Sequence, residues 1–333
     1  ATTFASNRAS PRRCVTYPTV MMAVTTVVTV VGKLNDAFFQ QAKKAVEFLA
    51  DSEPGLTANV MSLLPLDYDL LVQRVLPDAF PTVAKHSGPV LVYVGDVDTP
   101  DGATYIGGID AMLTWCRTTY TYQDATHKIF YERLAKTHLR GYAQKTKREY
   151  VEMEIVKDGV SQGVLLIELF TDITPRTCQN FMAFVNGTSC NAPDDTVPDV
   201  VKKYEKCPIH RVVKDGWFQT GDVVPPQNGF GVTSSFQENA PFADETFKVK
   251  HDMPGIVTMA AQEKHGNGCQ FLITLAPLPF LDGRRVAFGR VVDGMRVMNV
   301  LNKEPLTFAE KPKGDVRLRK CEVVTKRITG GMK

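Results

Sequence analysis

The sequence predicts two domains, an α/β layer domain followed by one rich in short strands. Three observations predict this. Strand-like and helix-like stretches alternate in the order β-α-β-α-β-β-α from about Val20 to Tyr122, the pattern of an α/β layer fold. From Glu149 to Val324 the chain runs mostly as short strand-like stretches set off by turn residues. A charged stretch with helical spacing separates the two, and 333 residues suffice for two cores. The expected boundaries are an extended arm at 1–18, the α/β domain at 19–122, a linker helix at 123–148, the strand-rich domain at 149–325 and a tail at 326–333.

In chain order, Ala1 to Arg13 is rich in Ser, Thr, Arg and Ala and has no acid. It has the composition of a targeting peptide, but an unfolded arm is the default reading. Ala23 to Val31, dense in Val and Thr, predicts a buried strand. Asn35 is placed to cap a helix from Asp36 to Ala50, whose apolar face is Phe38, Phe39, Ala42, Ala45, Val46 and Leu49. Leu56 to Leu64 reads as a strand, Asp67 to Val75 as a helix stopped by Pro77, and Pro89 to Gly95 as a third strand. Tyr105-Ile106-Gly107-Gly108 closes a strand and opens a helix over Ile109 to Thr119. From Gln123 to Lys147, Ile129, Phe130, Leu134, Leu139 and Tyr142 recur at helical spacing, followed by the basic link Lys145 to Arg148. A solvated linker is the default for such a charge run, with docking of the apolar face as the alternative.

Val151 to Ile155 and Gly163 to Phe170 alternate as a hairpin about Lys157-Asp158-Gly159. Thr174-Pro175 starts a helix that ends at Asn186-Gly187. Ser189 to Val200 is polar and reads as a surface loop, and Val316 to Val324 as the last strand. His210-Arg211-Val212-Val213, then Lys214-Asp215-Gly216, then Gln219 to Asp222 read as a strand, a bend and a return strand. Alternation sets Arg211 and Val212 on opposite faces, and the bend brings Gln219 close to Arg211. A guanidinium held by a neighbouring amide is a fixed donor array for a carbonyl or carboxylate; an ordinary surface ion pair is the alternative.

The balance of 39 basic and 36 acidic residues, net +3, gives no argument for a nucleic-acid partner. Seven cysteines without a C-x-x-C pair read as reduced intracellular thiols. The most apolar run, Val20 to Val31, is too short to span a bilayer and carries Thr25, Thr26 and Thr29, so no membrane association is expected. His251 and His265 have no spaced partner ligands and read as surface residues, so no metal is expected. Gly229-Phe230-Gly231 lacks the Lys-Ser/Thr pair of a phosphate loop.

Together, His210-Arg211, Gln219 to Asp222, Pro254-Gly255 with Met259-Ala260, Asn267 to Phe271, Leu281-Asp282-Gly283 and Val286 to Gly289 resemble the cyclophilin family of peptidyl-prolyl isomerases, in family order. Pro175, Thr177, Asn180 and Phe181, and Asp244 to Phe247, fit the same family. The resemblance covers about Glu149 to Val324 and implies an eight-stranded antiparallel closed barrel capped by two helices, all-β-dominated, with no cofactor. It implies Arg211 and Gln219 as catalytic residues. It also implies a substrate pocket drawn from Met259, Ala260, Ala261, Gln270, Leu272, Phe280, Leu281 and Arg285, with Trp217 or Phe218 supplying a lost aromatic wall. Gly216, Trp217, Leu272, Phe280, Arg285 and Ala261 depart from the family pattern, so weakened isomerase activity on proline-containing polypeptides is expected.

The first domain resembles the thioredoxin and glutaredoxin superfamily through its element order, through Pro89, which sits where that family places a cis-proline before its third strand, and through Tyr105 to Gly108. Its first helix starts with Asp36-Ala37-Phe38-Phe39, without the thiol a disulfide reductase needs, so a binding or scaffolding module is expected. The combination, with Phe39, Gln40, Ala42, Lys43 and Asp215-Gly216-Trp217, resembles the peptidylprolyl isomerase-like six subfamily. That implies a ciliary or flagellar axonemal location and a large assembly, such as axonemal microtubules, tubulin or inner proteins, as partner. A non-catalytic adaptor of the axoneme is the competing reading.

Overall fold

The computed structural model describes residues 26–81, 86–95, 103–190, 200–236, 240–261 and 263–330. The expected arm at 1–18, the start of the strand expected at Ala23, most of the loop at 189–200 and the end of the tail lie outside the described residues.

The first domain runs β1 (Thr26–Lys33), α1 (Ala37–Ser52), β2 (Leu56–Leu63), α2 (Pro65–Ala79), β3 (Val90–Val94), β4 (Thr104–Gly107) and α3 (Ile109–Tyr120). Its sheet has the order β2-β1-β3-β4, with β1 parallel to β2 and antiparallel to β3. Alternation along β1 sends Val28 and Val30 to α1 and α3, where Phe39, Val46, Leu49 and Met112 bury them. Val31 goes to the opposite face, with Tyr68 of α2, Phe80 and Tyr93. The sheet is thus covered on both sides.

Details differ from expectation. Asp36, one residue later than Asn35, caps α1 by accepting from the Phe38 and Phe39 amides at 2.7 and 3.3 Å. Phe38 turns outward, and Gln40 is buried instead because its amide donates to the Leu34 carbonyl at 2.9 Å. α2 continues past Pro77 to Ala79, so Pro77 falls in its last turn, where it costs the helix one amide donor. The Gly88–Pro89 bond is trans; the cis bond among the described residues is Pro225–Pro226.

α4 (Lys128–Thr146) is not a solvated linker. Its buried side is Tyr131, Ala135 and Ala143, while Ile129 and Phe130 stay half exposed. It packs on α1, and its Leu139 and Tyr142 pack against a cluster of Leu34, Leu64 and Val292 drawn from both domains. Arg148, expected in the basic link, donates to Asp172 at 2.8 Å and stacks on Phe170. Docking against two bodies, rather than helix periodicity alone, decides which face is covered.

The second domain comprises β5 (Glu149–Lys157), β6 (Val160–Leu169), α5 (Pro175–Asn186), β7 (Thr188–Cys190), β8 (Val200–Lys202), β9 (Arg211–Val213), β10 (Trp217–Thr220), β11 (Ile256–Met259), β12 (Phe271–Thr274), β13 (Ala287–Asp293), α6 (Met295–Asn302), β14 (Val316–Val323) and α7 (Thr325–Thr329). Eight strands form one curled antiparallel sheet in the order β14-β5-β6-β13-β11-β12-β10-β9. The segment leading into β9 meets the other end strand, β14, where Ile209 donates to Val316 and Leu318 to Cys207, at 2.8 and 3.0 Å. β7 and β8 pair with each other, so the polar stretch from Ser189 is flanked by strand rather than being loop throughout. α5 and α6 pack against the sheet, with Phe181 at 5.0–5.2 Å, ring to ring, from Tyr204, Phe271 and Phe288. Glu245 caps α5 from outside, accepting from the Arg176 and Thr177 amides. The expected tail begins as α7, docked on α4 through Gln144 and Ile328.

Candidate active site

Register fixes the floor of the site. Val212, Phe218, Ile273 and Val257 are partners across β9, β10, β12 and β11, and all are buried in the core. The next row, Arg211, Gln219, Leu272 and Thr258, therefore lies on the other face. Above it is a cleft of about 710 Å³, lined by Arg211, Trp217, Gln219, Ala260, Ala261, Leu272, Leu281 and Arg285. All eight were expected from sequence. A larger cavity, about 810 Å³, lies between α2 and α6 and has no part in this arrangement.

Two expected residues are corrected. Phe218 and Met259 are about 1 % exposed and belong to the core. Phe218 alternates with Trp217 and Gln219, so it must point away from the cleft; this was readable from period two alone. Met259 ends a strand buried along its whole length. Trp217 supplies the aromatic wall. Its indole N–H is buried and has no partner among the described residues. Phe280 stands on the rim, 55 % exposed, with its ring 6.5 Å from that of Trp217.

Gln270 acts behind the wall. Its side-chain carbonyl accepts from the Gln219 amide at 2.8 Å, and its amide donates to the Gly229 and Gly231 carbonyls at 3.0 and 2.8 Å. Asp222, fully buried, accepts from the Gly229 and Gly231 amides at 2.8 and 3.2 Å. The Gly-Phe-Gly segment is gripped from two sides. A Cβ at 231 would meet the Asp222 carboxylate at 2.1 Å, and one at 229 would meet the His210 ring at 2.7 Å. Both glycines are required by close approach. His210 also lines the cleft, and burial pushes its pKa below the ordinary 6.5.

Arg211 is held otherwise than expected. No Gln219 amide grips it. Its Nε donates to the Glu310 carboxylate at 2.7 Å, and its guanidinium lies 5.4 Å from the Trp217 ring centroid. The surface ion pair, the alternative reading of this stretch, is what the structure shows. Glu310 and the lining residues Asn228, Phe230, Ala309 and Lys311 were not foreseen. The glycine pair between Gln219 and Gln270 was a usable signal for Asn228 and Phe230; nothing in the sequence links Glu310 to Arg211.

Of the two histidines expected at the surface, one needs correction. His251 is fully buried, and both its amide and its ring bond Asp282 at 2.9 Å. The ring's hydrogen bond holds the Asp282 carboxyl below its ordinary pKa and fixes the turn after Phe280 and Leu281. His265 stays half exposed beside Asp244. Cys116 is a core residue whose thiol burial pushes up to about 11, far from a reactive thiolate.

Comparison with known proteins agrees with this geometry. The family described as cyclophilin type peptidyl-prolyl cis-trans isomerase/CLD matches residues 150–323. A human protein named "Probable inactive peptidyl-prolyl cis-trans isomerase-like 6" is 29 % identical over 86 % of this chain and 88 % of its own length. The mouse protein of that name is 30 % identical over 85 % and 86 %. Peptidyl-prolyl cis-trans isomerase 11 of Caenorhabditis elegans is 39 % identical over 51 % of this chain and 88 % of its own. The chain belongs to the cyclophilin-type peptidyl-prolyl cis-trans isomerase family.

Proposed function

We propose that the cleft binds proline-containing polypeptide segments and catalyses prolyl cis–trans isomerisation at reduced rate. The carrying observation is Arg211 paired with Gln219 across the β9–β10 hairpin on the cleft floor. Isomerisation is slow because twisting the amide breaks its resonance. A fixed cation aimed at the prolyl nitrogen stabilises the twisted state more than the planar one. Such a donor contributes about 3 kcal/mol in a sheltered site. Here Arg211 supplies the charge, Gln219 holds the substrate backbone, and Trp217, Leu272, Leu281 and Ala260 form the proline cup.

The test is NMR exchange on an Ala-Pro peptide with wild type and Arg211→Ala. Faster exchange with wild type supports catalysis; equal rates at the uncatalysed value refute it.

A second reading, binding without turning, is favoured by the Glu310 carboxylate on Arg211 and by relatives whose names call them probably inactive. Under it the chain is an adaptor. The mixed β2-β1-β3-β4 sheet, with Asp36 and no thiol at the first helix, supports reading the first domain as a thioredoxin-like binding module. The ciliary or flagellar axoneme, with its microtubules and their inner proteins, is the proposed setting, on the subfamily resemblance. Salt extraction of isolated flagella carrying the tagged chain tests that setting: retention through high salt supports it, and absence from the axonemal fraction refutes it.

A further inference from the structure

Glu310 sits in the loop between α6 and β14, far along the chain from the strand it touches. Main-chain bonds place it. Thr307 donates to the Lys311 carbonyl at 2.8 Å, closing the loop, and the Val212 amide donates to the Glu310 carbonyl at 2.8 Å, fastening the loop to β9. The carboxylate is thereby delivered to Arg211 without depending on the ion pair itself. The pair is 41–45 % exposed, so it is weak enough to exchange. Arg285 and Lys311 line the same cleft and have no acid partner within ion-pair distance among the described residues. With Arg211 they make three cations against one anion.

Granted that the cleft is a proline site, we propose that Glu310 is an internal surrogate for the ligand. The cleft takes an acidic proline-containing segment, whose own carboxylate replaces Glu310 on Arg211. Glu310 is a positioning residue: it acts through Arg211, keeping the guanidinium occupied until a carboxylate arrives. A neutral segment must break the pair and leaves no charge in its place.

The experiment titrates Ala-Ala-Pro-Ala-Ala peptides carrying Glu or Gln on either side of the proline. The proteins are wild type, Glu310→Gln, Arg211→Ala and the double variant, followed by chemical-shift titration and exchange rate. The Glu peptides should bind wild type about three- to fivefold more tightly than the Gln peptides. That preference should shrink in Arg211→Ala. Glu310→Gln should tighten both peptides by a similar factor and do nothing once Arg211 is gone. Added salt should improve the wild-type affinity for the neutral peptide and leave Glu310→Gln unimproved, because screening loosens an exposed pair. Tighter binding in Glu310→Gln with all exchange rates uncatalysed keeps this proposal and removes the isomerase reading. Equal binding by wild type and Glu310→Gln, or a Glu preference undiminished in Arg211→Ala, overturns the proposal and leaves the proline site standing. Peptides that bind none of the four proteins overturn both.

Discussion

Glu168 of β6 and Arg290 of β13 are direct partners in the sheet register, and their side chains meet at 2.9 Å with the carboxylate fully buried. The same guanidinium donates to Tyr142 of α4 at 2.9 Å and lies 3.5 Å from Asp67 of α2. Tyr150 donates to Glu168 at 3.1 Å. One charge cluster therefore joins the curled sheet, the connecting helix and the first domain.

Arg290→Met should destabilise the protein by about 3 kcal/mol, because it leaves a buried carboxylate with only Arg148, at 3.6 Å, as a cationic partner. Glu168→Gln combined with Arg290→Met should recover most of that loss. Urea unfolding of the two variants checks both statements.

Asp67 gives the pH dependence. Burial outweighs the field of Arg290 and raises its pKa above the ordinary 3.8. The folded state therefore holds the proton more tightly than the unfolded one. Ionisation costs stability as pH rises through 3.8 to the folded value; below 3.8 both forms are protonated and the cost is absent. Asp67→Asn should be more stable than wild type at pH 7, with the difference vanishing near pH 3 as measured by denaturant midpoints.

Asp222 should control the Gly229–Gly231 segment. Asp222→Ala leaves amides of Val224, Gly229 and Gly231 without their acceptor. The expected cost is about 1–3 kcal/mol, with hydrogen exchange accelerated at these amides first.

Trp217 and Phe218 should separate binding from folding. Trp217→Ala should weaken a proline peptide by about 2 kcal/mol, with Trp217→Phe retaining most of the affinity. Phe218→Ala should instead cost about 3–5 kcal/mol of stability, because it opens a cavity in the core. Peptide titration and urea unfolding of the same variants check the division.

Much of this was legible in the residues. The β5–β6 hairpin follows from alternation around Asp158-Gly159, and the bend at Lys214-Asp215-Gly216 returns Gln219 opposite Arg211 as read. Local chemistry determines such features. Helical spacing does not reveal the buried face of α4, because α4 packs on α1 of the first domain, where Lys44 lies over the Tyr131 ring. Glu310 was invisible because a loop tip carries no periodicity, and its bond to Arg211 spans 99 residues. Phe218 shows the opposite case, a placement that strict alternation already contained.

The proposed proline cleft is built on Trp217 beside Arg211. The sequence holds two tryptophans, Trp217 at the cleft and Trp115 in α3 against Tyr120. Titration of the ¹⁵N-labelled chain with an Ala-Pro peptide reports on both indoles at once. The Trp217 indole N–H should shift saturably while that of Trp115 stays fixed. A peptide that moves Trp115 alone, or neither signal, contradicts the proposed cleft.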